Sequence, residues 1–474
     1  MNYWLCVIRD SDPTENSCQS IDTIALNLDP QQVLLELRNV SEVDGNSTVY
    51  VAYSGGVDST VLLHLLSRLR DTINLQLVAL HANHGVDLHA DEWSIHCANY
   101  CESLGIDFRS TRLDLGKFRK RMSESDARAG RYAWFKQQLG ENELLLTAHH
   151  QDDQAETFLL NLMRGAGARG LGAIQPYTRF ASGWLLRPLL AHSRQQITQY
   201  ASIHNLTYID DPSNLNVDYD RNYLRHVVLS SLSERWPAAV QQIHRATEQL
   251  TQSRHLLDAL AKLDVEACRT EGTGFLSIGS QLNVRQLPKL DRPRQVNLLR
   301  YWARQNLQSE PGRNALDEFI NTALVLDKDF AELTWSNQCI YRYQNVLYLA
   351  RRQKDTCRLD PVKWDLNKPL ILEQAGLKLV PRLVKKSGLS AEKLAGGVTV
   401  RFRTGAERIM LPDRAHSSSL KKLFQQHLIP PWERNQLPLI YCQDELAAVV
   451  PWLISGRFKA VDNEPGISIS IDRI

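Results

Sequence analysis

Ser54-Gly55-Gly56-Val57-Asp58-Ser59 gathers two glycines, two hydroxyls and a carboxylate into one short stretch of chain. The β-rich run Thr48-Val49-Tyr50-Val51-Ala52-Tyr53 precedes it, and the apolar run Val61-Leu62-Leu63-His64-Leu65-Leu66 follows. Strand, glycine turn and helix are therefore the local reading. Two glycines let the backbone approach phosphates closely, and a helix N-terminus favours negative charge. Ser54, Ser59 and Thr60 add hydroxyl donors. A buried helix start of small residues accounts for everything in this stretch except Asp58. A carboxylate beside phosphates requires a cation between them, and Mg2+ is the expected one. No G-x-x-x-x-G-K-[ST] occurs, so the loop is not a Walker A motif.

The segment Leu146-Thr147-Ala148-His149-His150-Gln151-Asp152-Asp153-Gln154-Ala155-Glu156-Thr157 is denser still. A buried strand runs into two histidines, and then three carboxylates open a helix. First-turn carboxylates can serve the helix dipole alone. Asp153 and Glu156, however, are three apart and share a helix face, where a pair can grip an ammonium group. His149 and His150 are placed to contact phosphates or a nucleotide. His81-Ala82-Asn83-His84-Gly85 ends the second strand beside the first strand's loop, where contacts to an adenine nucleotide are expected. A polar strand-end turn is the plain alternative there. Arg128 and Arg131 share one face of a helix, as arginines that neutralise charge in phosphoryl transfer would. An exposed, ion-paired helix is the competing account. Gly165-Ala166-Gly167-Ala168-Arg169-Gly170 fits G-x-G-x-x-G but follows a helix rather than a strand, so a flexible loop is expected instead of a dinucleotide fingerprint.

Strands must carry these segments to one place. From residue 47 to 220 strand and helix alternate: strands at 75–81, from 106 and at 144–148, helices at 91–104, 123–139 and 151–163. That alternation indicates an α/β fold with a doubly wound parallel sheet, in which ligands bind beyond the carboxyl ends of the strands. Residues 221–356 read as a mainly helical domain, with one strand at 274–278. Residues 357–474 read as a small mixed α+β domain, and 1–46 as an N-terminal extension with one helix near 30–38. A polar stretch at 351–356 marks the last boundary.

The length of 474 residues exceeds what one core usually serves. The formal net charge of +2 hides an uneven distribution: between Lys378 and Arg434 there are twelve Lys/Arg against four Asp/Glu. Such a patch suits a polyanion such as nucleic acid, or is a solvated basic face. The eight cysteines include no C-x-x-C pair, which gives a zinc ribbon or iron–sulfur site no support. Reduced structural thiols of a cytoplasmic protein are the simpler reading. The N-terminus has no signal-peptide pattern, and no apolar run approaches membrane-spanning length.

Taken in order, these segments resemble the tRNA(Ile)-lysidine synthetase family of the PP-loop ATP pyrophosphatases. The matching parts are the Ser54–Ser59 loop, the segment around Arg128 and Arg131, His149 through Thr157, and Leu162-Met163-Arg164-Gly165-Ala166-Gly167. Arg187-Pro188-Leu189, Asp211-Pro212-Ser213-Asn214 and Asp220-Arg221-Asn222-Tyr223-Leu224-Arg225-His226 continue the series. Leu420-Lys421-Lys422-Leu423-Phe424, followed by Ile429-Pro430-Pro431-Trp432, resembles the family's last domain. One departure is visible: Val86-Asp87 stands where the family often has Leu-Arg.

The resemblance implies a ligase that adenylates the wobble cytidine of an isoleucine tRNA with a CAU anticodon and joins free L-lysine to it. AMP and pyrophosphate are the other products. It implies ATP at Ser54, Gly55, Gly56, Val57, Asp58, Ser59, His81 and His149, with Mg2+ at Asp58. Arg128 and Arg131 would stabilise the transition state, and Asp153 and Glu156 would hold lysine. Arg221, Asn222 and Arg225, with Arg401, Arg403, Lys421 and Lys422, would contact tRNA. A homodimer is a further expectation. Three other readings compete: a tRNA-thiolating relative, which would usually need paired catalytic cysteines; an ammonia-using synthetase, which would not need the basic C-terminal region; and a non-catalytic RNA-binding protein, which would not need Asp58, Asp153 and Glu156.

Overall fold

The computed structural model describes residues 48–73, 75–83, 89–113, 124–271, 277–324, 329–352, 360–385, 387–412, 414, 416–461 and 464–473, together with Leu28 and Val33. The helix expected near 30–38, apart from Val33, lies outside the described residues, as do Val86-Asp87 and residues 274–276. The chain divides into two compact units, Met1–His255 and Leu256–Ile474.

The first unit is built on a six-stranded sheet of order β3-β2-β1-β4-β6-β5. Its strands are β1 Thr48–Ala52, β2 Gln76–Asn83, β3 Asp107–Arg112, β4 Leu144–Leu146, β5 Tyr177–Phe180 and β6 Gly183–Leu186. The helices between and after them are α1 Val57–Ile73, α2 Ala90–Ser103, α3 Glu124–Gln138, α4 Gln151–Met163 and α5 Arg194–Ile203. All neighbouring strands run parallel except the edge hairpin β5–β6. Period-two alternation explains the layering. Val49, Val51, Leu77, Ala79, Leu144 and Leu146 bury one face against α1, α2 and α5. Tyr50, Val78, Leu80, Leu145 and Leu185 bury the other against Phe135 of α3 and Leu139 just after it. With both faces covered, the central strands read as almost uninterrupted apolar runs. The chain passes from β1 to β2 on one side and later places β4 on the other, so a crevice opens at the carboxyl ends of β1 and β4.

On the α5 side, His64 Nδ1 lies 3.0 Å from the Tyr200 hydroxyl, and its ring meets that of His204. Burial, His204 and Arg68 lower the His64 pKa to about 4. Below an unfolded value near 6.5 the unfolded chain binds the extra proton and the folded one does not. Stability from this group is therefore present above about pH 6.5 and is lost as the pH falls from there towards 4. Urea midpoints should fall between pH 7 and 5, and less steeply in His64→Gln. An unchanged slope in the variant would show that His64 is not the group responsible.

The second unit carries α7 Arg292–Leu307 and α8 Arg313–Ala323, following the long helix α6 Ala239–Cys268 that begins in the first unit. The region read as mainly helical also holds a five-stranded antiparallel sheet, whose three longest strands are Phe330–Trp335, Gln338–Tyr343 and Val346–Arg351. Two-residue turns join them, with Ser336 and Gln344 in the left-handed region at φ 48° and 54°. Neither turn carries the glycine that usually marks such a hairpin in sequence. Residues 277 and 278 of the expected strand are not in a strand, although Ile278 N–H donates to Leu349 O at 2.8 Å. The C-terminal part contains a five-stranded sheet and a four-stranded one, in which Leu377–Lys385 pairs antiparallel with Pro465–Arg473. No helix among the described residues is long and apolar enough to cross a membrane.

Candidate active site

The glycine loop leaves β1 at Ala52 and enters α1 at Val57. Gly55 has φ 88°, and a Cβ there would sit 2.5 Å from Ile209 Cδ1 and 2.8 Å from Cys97 Sγ. Any other residue at that position would be strained and would collide. Gly56 faces no such wall, since its Cβ would meet only Ser54 Oγ, at 3.6 Å. Ser59 Oγ donates to Gly56 O at 3.0 Å, lies 3.0 Å from Ser54 Oγ, and accepts from Ser54 N at 3.2 Å. Thr60 Oγ1 donates to Gly55 O at 3.3 Å. These bonds hold the loop in shape before any phosphate arrives.

A cavity of about 550 Å³ opens beside the loop. Ser54 and Gly56 form one end, Leu80, His81 and Asn83 of β2 its floor, and Trp93 of α2 with Ala127, Arg131 and Phe135 of α3 its walls. Ile209, Asp211 and Asn214 close it. His81 donates from Nδ1 to the Tyr53 carbonyl at 3.0 Å, which leaves Nε2 as an acceptor. Burial lowers its pKa, against that bond, so the ring is neutral. An apolar pocket with a few polar groups at one end and a phosphate loop at the other matches the shape of a nucleotide.

The second half of the site is a charge cluster on α4. His150 caps the helix: its backbone N–H donates to Asp153 Oδ2 at 3.1 Å, and its Nδ1 accepts from Asp152 N at 3.2 Å. His150 Nε2 lies 3.6 Å from Asp58 Oδ2 and 3.5 Å from Asp153 Oδ2, so the imidazole links the glycine loop to α4. Burial opposes its charged form, but Asp153, Asp152 and Asp58 outweigh burial and raise its pKa to about 10. A protonated Nδ1 cannot accept from Asp152 N. In the charged state it donates instead towards the Asp152 carboxylate, 3.5 Å away. His149 behaves oppositely. Burial, reinforced by Arg187, Arg221 and Arg128, outweighs Asp153 and lowers its pKa to about 3, and its Nδ1 lies 2.8 Å from Thr147 Oγ1.

Glu156 is fully buried and engaged by two arginines. Arg221 Nε donates to its Oε2 at 2.8 Å and Arg225 Nε to its Oε1 at 2.5 Å. Both guanidinium groups also reach Asp153 Oδ1, at 3.3 and 3.6 Å. Burial would raise the Asp153 pKa, yet His150, His149 and Arg221 hold it below the usual carboxylate range. The arginines sit at consecutive turns, Arg221 in the short helix Asp220–Tyr223 and Arg225 in the π-helical turn Leu224–Val228. Such a widened turn is a common local device at functional sites.

Three family models match in sequence order: the PP-loop domain over residues 29–232, the TilS substrate binding domain over 282–348 and the TilS substrate C-terminal domain over 398–471. The tRNA(Ile)-lysidine synthase of Coxiella burnetii is 36% identical over 92% of this chain and 95% of its own length. That of Proteus mirabilis is 37% identical over 91% and 96%. The Xanthomonas axonopodis pv. citri protein of the same name is 38% identical over 87% and 91%. The chain belongs to the tRNA(Ile)-lysidine synthase family.

Within this family member, most of the residues singled out from sequence in the first unit fall into two groups. Ser54, Gly56, His81 and Arg131 line the 550 Å³ cavity, with Gly55, Val57 and Ser59 in the adjoining loop and helix start. Asp58, His149, Asp153 and Glu156 gather in the charge cluster, together with Arg221 and Arg225. Arg128 is exposed and lies over the Tyr132 ring at 5.0 Å. Asn222 donates to Asn216 O at 2.8 Å. In the second unit Arg401 pairs with Asp444 and covers the Tyr441 ring at 4.6 Å, and Arg403 lies 3.6 Å from Glu407. Lys421 and Lys422 are exposed on the helix Leu420–Gln426. Sequence reasoning did not name Trp93, Phe135, Ile209, Asp211 and Asn214 as cavity residues. Only Asp211-Pro212-Ser213-Asn214 carried a sequence signal, as part of the family resemblance. The Gly165–Gly170 run is partly regular: Gly165 (φ 69°) follows the end of α4, and Ala168–Leu171 is a short helix.

Proposed function

We propose that the nucleotide cavity and the α4 charge cluster carry out the two halves of lysidine formation. The chain is an ATP-dependent ligase of tRNA. The wobble cytosine O2 of an isoleucine tRNA with a CAU anticodon attacks the α-phosphate of ATP, and pyrophosphate leaves. The ε-amine of lysine then attacks C2, and AMP leaves with the oxygen. The observation that carries this reading is the His150 imidazole between Asp58 and Asp153, which joins the phosphate loop directly to the carboxylates of α4.

Mg2+ fits at Asp58. Its Oδ1 is buried with no hydrogen-bond partner among the described residues, and one carboxylate plus substrate phosphates is a common way to hold this ion. There it would neutralise charge on the departing pyrophosphate. Loop amides and the α1 N-terminus bind phosphate oxygens, and Arg131 at the cavity wall with Arg128 one turn away offsets the developing charge. Asp153, with Glu156 behind it, holds the lysine ammonium. Arg221 and Arg225 fix the Glu156 carboxylate in place and reach Asp153 as well. A lysine amine ordinarily titrates near 10.4, so nearby cations help it arrive as the free base. Asn222, Arg401, Arg403, Lys421 and Lys422 are assigned to tRNA phosphates, which position the substrate without reading its bases. The cytoplasm is the proposed compartment, in keeping with the buried free thiols of the described cysteines, Cys97, Cys101, Cys268, Cys339 and Cys442.

The experiment uses ATP, Mg2+, radiolabelled lysine and unmodified isoleucine tRNA with a CAU anticodon, beside a methionine tRNA with the same anticodon. Label in the first tRNA alone, with AMP formed, supports the reading. ATP consumption with no lysine transferred would reject the substrate. Asp153→Asn should lower kcat/KM for lysine by about 10- to 100-fold while tRNA binding stays within about twofold. Equal loss of lysine use and tRNA binding would count against the assignment of Asp153.

A further inference from the structure

A basic residue at the strand ends, Arg187, has no counterion among the described residues. β6 ends at Leu186 and lies parallel to β4, with Thr147 N–H donating to Leu186 O at 3.0 Å. Arg187 therefore leaves the sheet level with the start of the Thr147–His150 segment, at the strand end next to that of β4. Its Nη1 donates to Gln175 O at 2.6 Å, while its Nε is buried without an acceptor. A guanidinium carries five N–H donors, so most of this one's capacity meets no acceptor among the described residues. No carboxylate pairs with it there either, and its neighbours include Tyr132 and a second cation, Arg128. A purely structural tie to one carbonyl does not need a charge. A half-buried cation with a buried, unsatisfied Nε beside another cation is costly unless an anion arrives.

The anions of the reaction are distributed unevenly over the site. ATP phosphates belong to the glycine loop, with Arg131 at the cavity wall. Arg221 and Arg225 already serve Glu156 and Asp153. The α-carboxylate of free lysine has no partner among these groups. His149 lies within electrostatic reach of both Asp153 and Arg187. That imidazole feels the Asp153 anion and, beside Arg221 and Arg128, the Arg187 cation with its unused donors, a combination of charges that complements the zwitterionic head of a free amino acid. We propose that Arg187 binds the α-carboxylate of lysine, with Asp153 taking the α-ammonium, so that only the side-chain amine is left to attack. This rests on the lysine-transfer reading above and adds a specificity: simple diamines and blocked amino acids are refused because Arg187 would stay unpaired.

The test compares L-lysine with L-lysinamide, which keeps the size of the head group and loses its negative charge. Wild type should use lysinamide about 10- to 100-fold less well in kcat/KM. Arg187→Met should lose about that factor on lysine and little on lysinamide, so discrimination falls to within about threefold. Arg187→Lys should fall between, because a point charge replaces a fork. The KM for ATP and the Kd for tRNA should stay within about twofold. Equal use of both amines by wild type would overturn the proposal whatever the variants do. So would full discrimination in Arg187→Met. Weaker tRNA binding with a salt slope reduced by about one and an unchanged lysine KM would make Arg187 a phosphate contact instead. A wild type that joins neither amine overturns the lysine reading itself, and this proposal with it.

Discussion

Asp58→Asn is expected to lower the rate of ATP-dependent lysine transfer by on the order of 10³-fold, with tRNA affinity within about twofold of wild type. The substitution keeps the side-chain shape and removes only the charge. Among the described residues Asp58 Oδ1 is buried without a hydrogen-bond partner, and its Oδ2 faces His150. An amide in that place gives a divalent ion a weaker ligand and offers His150 a neutral neighbour. The variant should also need more Mg2+ for half-maximal rate, which separates loss of the ion from loss of ATP. Wild-type activity with an unchanged Mg2+ dependence would remove Asp58 from the chemistry.

Glu156→Gln is expected to destabilise the protein by about 3–5 kcal/mol, because two partly buried guanidinium groups lose their shared counterion. In a unit of this size each kcal/mol corresponds to roughly 2–4 °C in Tm, so the loss should be plain in a thermal melt. Glu156 itself is fully buried, and its oxygens accept from Arg221 and Arg225 at 2.8 and 2.5 Å. An amide can accept from one arginine only by turning an N–H towards the other. Adding Arg225→Gln should therefore restore part of the stability, with a coupling of at least about 1 kcal/mol. If the double variant is no more stable than the single one, packing rather than unpaired charge accounts for the loss.

Much of the α/β scaffold was legible because its signals are local. Apolar strands such as 48–52 and 144–146, each followed by a helix, indicate a parallel sheet covered on both faces, and that is the sheet observed. Less legible was the antiparallel sheet at 269–351, whose strands mix Glu332, Arg342 and Tyr341 with apolar residues and whose turns use Ser336 and Gln344. Burial makes the difference: Arg342 is nearly inaccessible and bonds to the Ala323 and Gln344 carbonyls, so a charge that argues against an interior strand is satisfied inside one.

The same division holds at the site. The glycine loop and the Asp153–Glu156 pair could be named from residue type and spacing, because each lies within one turn and its chemistry follows from neighbours in sequence. Partners contributed from far along the chain were not legible. Arg221 and Arg225 carry the same charge whether they meet a tRNA phosphate or Glu156, sixty-five and sixty-nine residues away, and only the tertiary structure places them on Glu156. The closing wall at Ile209, Asp211 and Asn214 and the strand-end position of Arg187 are likewise products of folding. Sequence alone determined which groups could do the chemistry. The fold decided which of the described charges are paired and which are not, because pairing depends on distance and burial, and neither is a property of position along the chain.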